Sequence, residues 1–199
     1  MTFDIAALDF DDPTQLELKL SPTELNQVWH KNNFYSTSSR RWNAYLNQIC
    51  LNAILPWIRD EYDPEAKILP NISALPSYWE LINGTAVKVG GARLLLVPQQ
   101  TIHLSELRVP QEWIDIPSWA TDYYLAVQVN PDNGWVRIWG YATHQQLKNR
   151  GNYQASNRTY CLVEDDLIRD IDILWVARQL CPHEPTRAAI ALLPTLPLQ

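Results

Sequence analysis

The sequence has few charges and few cysteines. Charged side chains make up 19% of the 199 residues, and their balance is acidic, with a formal net charge of −6. Phosphate contacts need a basic surface, so this balance disfavours general nucleic-acid binding and adhesion to anionic membranes. The three cysteines, Cys50, Cys161 and Cys181, share no metal-ligand spacing. That pattern is typical of buried thiols in a reduced cytosol.

Long apolar runs are also missing. The longest aliphatic stretch is residues 94–97, which is far too short to span a bilayer. The first twelve residues, MTFDIAALDFDD, are acidic and lack the basic and apolar regions of a secretory signal. We therefore expect a cytoplasmic protein with no membrane partner.

Known catalytic and ligand motifs are absent as well. The sequence has no Gly-rich phosphate loop, no HExxH and no G-x-S-x-G. Cys161 could pair with His103 or His144 as a thiol dyad, although a cysteine in an alternating strand is more often structural. The acidic cluster near the last predicted helix suits capping and solvation better than metal binding. Its members are Asp165, Asp166, Asp170 and Asp172. No catalytic residue, metal or cofactor is predicted, and enzymatic activity is left open as the less favoured class.

Apolar residues, by contrast, make up 46% of the chain, which is enough for a sizeable core in one domain. The run Ser21-Pro22-Thr23-Glu24 has the pattern of a capping box and predicts a helix start. Apolar residues at steps of three and four from Trp42 to Ile58 predict a longer helix over 40–61, kinked at Pro56.

These signals predict an α+β fold. An antiparallel sheet or partly closed barrel is packed by the long kinked N-terminal helix and by a C-terminal helix. The single domain covers 14–181 and contains a helical part at 21–62, a β-rich part at 78–163 and a helix at 165–180. An acidic flexible arm at 1–13 precedes it, and a Pro-rich tail at 182–199 follows it.

The centre of the β-rich part is a hairpin over 123–141, which turns at Pro131-Asp132-Asn133-Gly134. Counting from the turn pairs Gln128 with Arg137, Ala126 with Trp139 and Tyr124 with Tyr141, and gives the hairpin one aliphatic and one aromatic face. The aromatic face is either an open surface that stacks on nucleic-acid bases or a second core layer under the 40–61 helix. We favour the second interpretation. The residues of the open-face alternative are Tyr124, Trp135, Arg137 and Trp139.

Loops around this hairpin are the favoured place for a binding surface. Trp113 and Trp119 lie in a long Pro-containing loop and are predicted contact anchors, provided that neither is fully buried. Arg150, Asn152 and Arg158 lie in or beside a polar loop at 151–157 and are the other predicted contacts.

Three segments carry a family resemblance: YLNQICLNAILPWI, WVRIWGYAT and RTYCLVEDDLIRDIDIL. In order and spacing they resemble an uncharacterised cyanobacterial family of unknown function, over residues 14–181. The resemblance implies a cytoplasmic bacterial protein with a regulatory role, and it brings no activity, cofactor or catalytic residue. The favoured function is a non-catalytic protein-interaction or regulatory module whose partner is another protein. The alternatives are a nucleic-acid-associated protein that uses the aromatic face and an unrecognised hydrolase centred on Cys161.

Overall fold

A computed structural model of the chain describes residues 17–32, 37–69, 82–100 and 105–180, with side chains through Val176. The predicted arm at 1–13 and the tail at 182–199 lie outside the described residues, as do residues 70–81 of the chain. Within the described ranges, no helix is both long enough and apolar enough to cross a membrane.

Helices and strands follow one another in mixed order. The first half of the chain contains β1 (Glu17–Lys19), α1 (Pro22–Lys31), α2 (Ser38–Glu61), β2 (Lys67–Ile68), β3 (Thr85–Val89) and β4 (Ala92–Gln100). The second half contains β5 (Glu106–Pro110), α3 (Glu112–Asp115), β6 (Tyr123–Asn130), β7 (Trp135–Thr143), α4 (His144–Arg150), β8 (Asn152–Gln154), β9 (Thr159–Val163) and α5 (Ile171–Leu180).

The strands form two sheets. The main sheet has the order β1-β7-β6-β4-β3-β2, and the second sheet has the order β5-β9-β8. The main sheet is curled and mostly antiparallel, which confirms the coarse α+β prediction. The prediction of a fully antiparallel sheet is wrong at one place, because β4 and β6 are parallel neighbours. The chain between them passes through β5 and α3, and a strand that returns by such a crossover runs in its original direction.

Helix α1 begins where its sequence predicts, and α2 begins at Ser38, two residues before the predicted start at 40. The Ser21 hydroxyl accepts a hydrogen bond from the Glu24 amide at 3.2 Å, and the Glu24 carboxylate accepts one from the Ser21 amide at 2.8 Å. This is the predicted capping box. Thr37 caps α2 by accepting from the Arg40 amide. Pro56 lies inside α2, which continues to Glu61, and the kink at Pro56 stays a prediction.

Each face of the main sheet has its own core. The first core joins the aliphatic face to the buried side of α2, including Ile49, Ile54 and Ile58. The second core joins the opposite face to the second sheet and α3, and it contains Trp113 and Trp139. The two-sided core is confirmed, but α2 covers the aliphatic face and not the aromatic one as predicted. The second sheet supplies the cover that the aromatic face needs.

A β-bulge in the central hairpin changes the predicted pairing. Gln128 faces Arg137 as predicted, but the register shifts between Ala126 and Val127. Ala126 then faces Gly140 instead of Trp139, and Tyr124 faces Ala142 instead of Tyr141. The extra residue moves Tyr141 to the side of the sheet that α2 covers, where its ring is buried in the first core.

The segment before α5 also differs from the prediction of a helix over 165–180. Glu164–Asp166 form a single 3₁₀ turn, and α5 begins only at Ile171. Between them, Ile168 and Tyr141 exchange two backbone hydrogen bonds of 2.9 Å each. This bridge holds the chain at Ile168 extended beside the bulge, so α5 begins farther along the chain than predicted. Downstream, α5 packs on the end of α2 by stacking Trp175 on Tyr62, with ring centroids 4.1 Å apart.

Candidate functional site

The most exposed arrangement of predicted contact residues lies on the β8–β9 hairpin. The sequence predicts a polar loop at 151–157, but Asn152–Gln154 form β8 and pair with β9. We call this region the hairpin surface, and it consists of Arg150, Asn152, Tyr153, Arg158 and Tyr160. All five are exposed or partly exposed side chains.

Helix α4 fixes the start of the hairpin surface. Thr143 caps α4 with a second capping box, in which its hydroxyl accepts from the Gln146 amide at 3.1 Å. The helix ends when Gly151 donates its amide to the Leu147 carbonyl at 3.0 Å. A Cβ at Gly151 would lie 2.3 Å from that carbonyl oxygen, so the close approach requires glycine. Arg150 is thereby held beside the first residue of β8.

Two tyrosines form the apolar part of the hairpin surface. Tyr153 and Tyr160 face each other across the hairpin, and their ring centroids are 5.1 Å apart. The Tyr153 hydroxyl donates to Gln111 at 2.8 Å, and the Tyr160 hydroxyl donates to Asp115 at 3.0 Å. Partial desolvation and the bond to Asp115 raise the pKa of Tyr160. Tyr153 is still 42% exposed, so its ring combines a fixed orientation with access to a partner.

Two arginines flank the tyrosines. Arg150 lies 3.5 Å from Asp166 and Arg158 lies 3.3 Å from Glu112, measured between guanidinium nitrogen and carboxylate oxygen. Their side chains are 64% and 66% exposed. Ion pairs at such exposure contribute about 0–1 kcal/mol, because water screens them. Both guanidinium groups can therefore exchange these carboxylates for an anionic group of another molecule at little cost.

Strand β8, which carries Asn152 and Tyr153, is an edge strand of the second sheet. In the described ranges β8 pairs with β9 on one side, and no strand lies on its other side. Exposed strand edges offer unpaired backbone amides and carbonyls to another chain. The hairpin surface therefore combines a sheet edge, an aromatic pair and two cations.

The predicted loop anchors do not belong to this surface. Trp113 is fully buried and Trp119 is 8% exposed, and the two rings lie 5.5 Å apart in the second core. The Trp113 indole donates to the Asn83 carbonyl at 3.1 Å. Their assignment as contact anchors required exposed rings, so it is corrected: the closing of the second sheet over this face makes them core residues.

The aromatic face is not an open platform either. Tyr124 is fully buried and Trp139 is 6% exposed, because the second sheet and α3 cover them. Trp135 and Arg137 lie farther along β7, where Arg137 forms an ion pair of 2.8 Å with Glu17. The Arg137 guanidinium also lies 5.1 Å from the centre of the Trp135 ring. These four residues therefore do not present one continuous stacking surface to a nucleic acid.

The residues of the dyad hypothesis also lie in structural positions. Cys161 is buried, and burial raises the pKa of its thiol. The Thr159 hydroxyl lies 3.7 Å from the Cys161 sulfur. His144 directs its Nδ1 to the Tyr124 hydroxyl at 2.8 Å, whereas His103 lies outside the described residues. Across the described ranges, no three His, Cys, Asp or Glu side chains are grouped so as to hold a metal ion.

Sequence reasoning identified the arginines and Asn152 of the hairpin surface but missed its tyrosines. The available signal was the alternation in Asn152–Gln154 and Thr159–Val163 around a short polar turn, which is typical of a hairpin.

Comparisons with known proteins place the chain in a family without assigning an activity. Searches of curated proteins and of solved structures gave no match. The family resemblance seen in the sequence is confirmed at its coarse level, and a cyanobacterial source stays a prediction. The chain belongs to the family described as Protein of unknown function (DUF1822), which matches residues 18–199.

Proposed function

We propose that the chain is a non-catalytic protein-interaction module, and that its hairpin surface contacts another protein. The observation that carries this proposal is the position of Tyr153. Its ring is 42% exposed on an outer strand and is held by a hydrogen bond to Gln111. Tyrosine and arginine are enriched at interface hot spots, because they bury a large area and still form polar contacts.

The composition of the hairpin surface favours a protein partner over a nucleic acid. Two arginines can neutralise only a few phosphates, and the chain as a whole carries a net charge of −6. A protein segment that pairs with the β8 edge would instead gain backbone hydrogen bonds in addition to the side-chain contacts. Acidic side chains in that segment would match Arg150 and Arg158. A regulatory role would follow if the partner is an enzyme or a transcription factor.

The proposal can be tested by recovering the tagged chain from its native host after nuclease treatment. Proteins that come with the wild-type chain are compared with those recovered by Tyr153→Ala and Arg158→Glu. We expect both variants to lose the same partner, because they remove the central ring and reverse a flanking charge. Each variant has a matched control on another exposed surface: Ile68→Ala at the edge strand β2, and Arg40→Glu in the first turn of α2.

Three outcomes would contradict the proposal. Partner recovery that survives both hairpin variants would place the interface elsewhere. Loss of the partner with the control variants as well would indicate a nonspecific effect. Recovery that disappears with nuclease would instead favour the nucleic-acid alternative.

A further inference from the structure

A cleft of about 300 Å³ lies away from the hairpin surface, between α1, α2 and the β6–β7 turn. Three apolar lining residues are buried or half-buried and form what we call the floor, whereas polar lining residues of α1 and of the turn are exposed and form the rim. The floor contains Leu20, Leu25 and Tyr45, and the rim contains Asn26, Asp132 and Asn133. A volume of this size is at the lower end of small-molecule sites and fits one long side chain or a small ligand.

The walls of the cleft are fixed by contacts that do not involve a ligand. The Leu20 amide donates to the Gly134 carbonyl at 2.7 Å, which joins the β6–β7 turn to the start of α1. The Tyr45 ring is held edge-on to Trp29, with ring centroids 5.2 Å apart. The Asn133 amide donates to the Asn130 side chain at 3.1 Å and closes the turn. The cleft is therefore preformed, and binding need not order its walls.

The exposed carboxylate of Asp132 lies in the lining of the cleft. Asp132 is exposed, and among the described side chains it forms no ion pair. Burial raises the pKa of the Tyr45 hydroxyl, and the negative charge of Asp132 raises it further. Asp132 and Tyr45 line the same cleft. A positive charge in the cleft would be attracted to this carboxylate.

We propose that the cleft binds an organic cation, namely an ammonium or guanidinium group on a short apolar stem. The stem would lie on Leu20, Leu25 and the Tyr45 ring, and the charged end would reach Asp132 at the rim. Long basic side chains combine an apolar stem with a charged tip in this way. The same chemistry occurs in free alkylamines and in lysine or arginine side chains of another chain. This proposal is independent of the hairpin surface.

The test is an NMR titration of the full chain with n-butylammonium, which has the stem length of lysine. We expect saturable shifts of the Asn26 and Asn133 side-chain amides. Asp132→Asn should raise the dissociation constant about fivefold, the upper range for an exposed ion pair. The matched control is Asp60→Asn, an exposed acidic residue that lies roughly 22 Å from Tyr45 along α2. It should leave the affinity unchanged.

Two further probes are n-butanol and a Gly-Lys-Gly peptide. The first tests whether binding depends on the positive charge or only on the apolar stem, and the second tests whether the natural ligand is a free amine or a lysine side chain. The neutral n-butanol should bind about fivefold more weakly, because it cannot form an ion pair with the carboxylate. A Gly-Lys-Gly peptide that binds more tightly than n-butylammonium would identify the source as a side chain of another chain, and the reverse order would identify a free amine. The proposal is overturned if n-butanol binds equally well, if Asp132→Asn leaves the affinity unchanged, or if no amide of the cleft shifts.

Discussion

Replacing Gly134 with alanine should destabilise the fold more than an ordinary turn substitution. Gly134 ends the β6–β7 turn with a φ of +67°, which side chains with a Cβ rarely adopt. An added Cβ would lie 2.7 Å from the Leu20 carbonyl oxygen. The backbone bond from the Leu20 amide to the Gly134 carbonyl lies at the same contact. The methyl group therefore strains the turn and pushes the turn away from α1.

The expected size follows from adding the two effects. Left-handed backbone costs a residue with a Cβ about 1–2 kcal/mol. Loss of the Leu20 hydrogen bond adds about 1 kcal/mol, giving a total of about 2–3 kcal/mol. For a chain of this size, each kcal/mol lowers Tm by about 2–4 °C, so the expected fall is about 4–12 °C.

Two further variants separate strain from collision. Gly90 has a similar φ of +57° and is exposed, so Gly90→Ala should show the strain alone. Gly134→Asn should retain mainly the collision, because asparagine tolerates this backbone conformation better than alanine. Unfolding in urea, followed by tryptophan fluorescence, measures all three free energies. Equal losses for Gly134→Ala and Gly90→Ala would refute the reasoning, since the contact with Leu20 would then contribute nothing.

Three other experiments test the core and its titratable groups. Asn47→Ala should lower the free energy of unfolding in urea by about 2–4 kcal/mol. The buried Asn47 side chain accepts a hydrogen bond from the Gly84 amide at 2.9 Å and so joins α2 to the start of β3. The exposed Gln27→Ala is the control, and a loss below 1 kcal/mol for Asn47→Ala would contradict this prediction. Burial lowers the pKa of His144 below 6.5, so the unfolded chain binds the proton more readily, and stability should fall as pH drops through 6.5 towards that lower pKa. His144→Gln should flatten the stability profile in this window, and an unchanged profile would contradict the assignment. In a Cys181→Ser background, iodoacetamide at pH 7.5 should label Cys161 only after unfolding; rapid native labelling would revive the hydrolase alternative.

Local signals predicted the parts of the fold in which the partners are close in sequence. The capping box at Ser21 joins residues three apart, and it is present. The turn from Pro131 to Gly134 is likewise set by the conformational preferences of its own residues.

The sequence predicted only the polar residues of the hairpin surface. Arg150, Asn152 and Arg158 are exposed, as expected for polar residues near turns. Tyr153 and Tyr160 were missed because their role depends on pairing across a hairpin whose first strand has only three residues. The prediction that Trp113 is exposed was wrong, because its position in a loop does not indicate that the second sheet packs over it.

The sequence alone therefore determined the start of α1, the central turn and the existence of two apolar sheet faces. These depend on side-chain periodicity and on hydrogen bonds between near neighbours, which the order of residues specifies directly. The tertiary structure decided which layer covers each face, the parallel pairing of β4 with β6, and the bulge that moves Tyr141 to the α2 side. Each of these depends on contacts between distant segments, such as Tyr141 with Ile168, whose stability is gained only when the whole core closes.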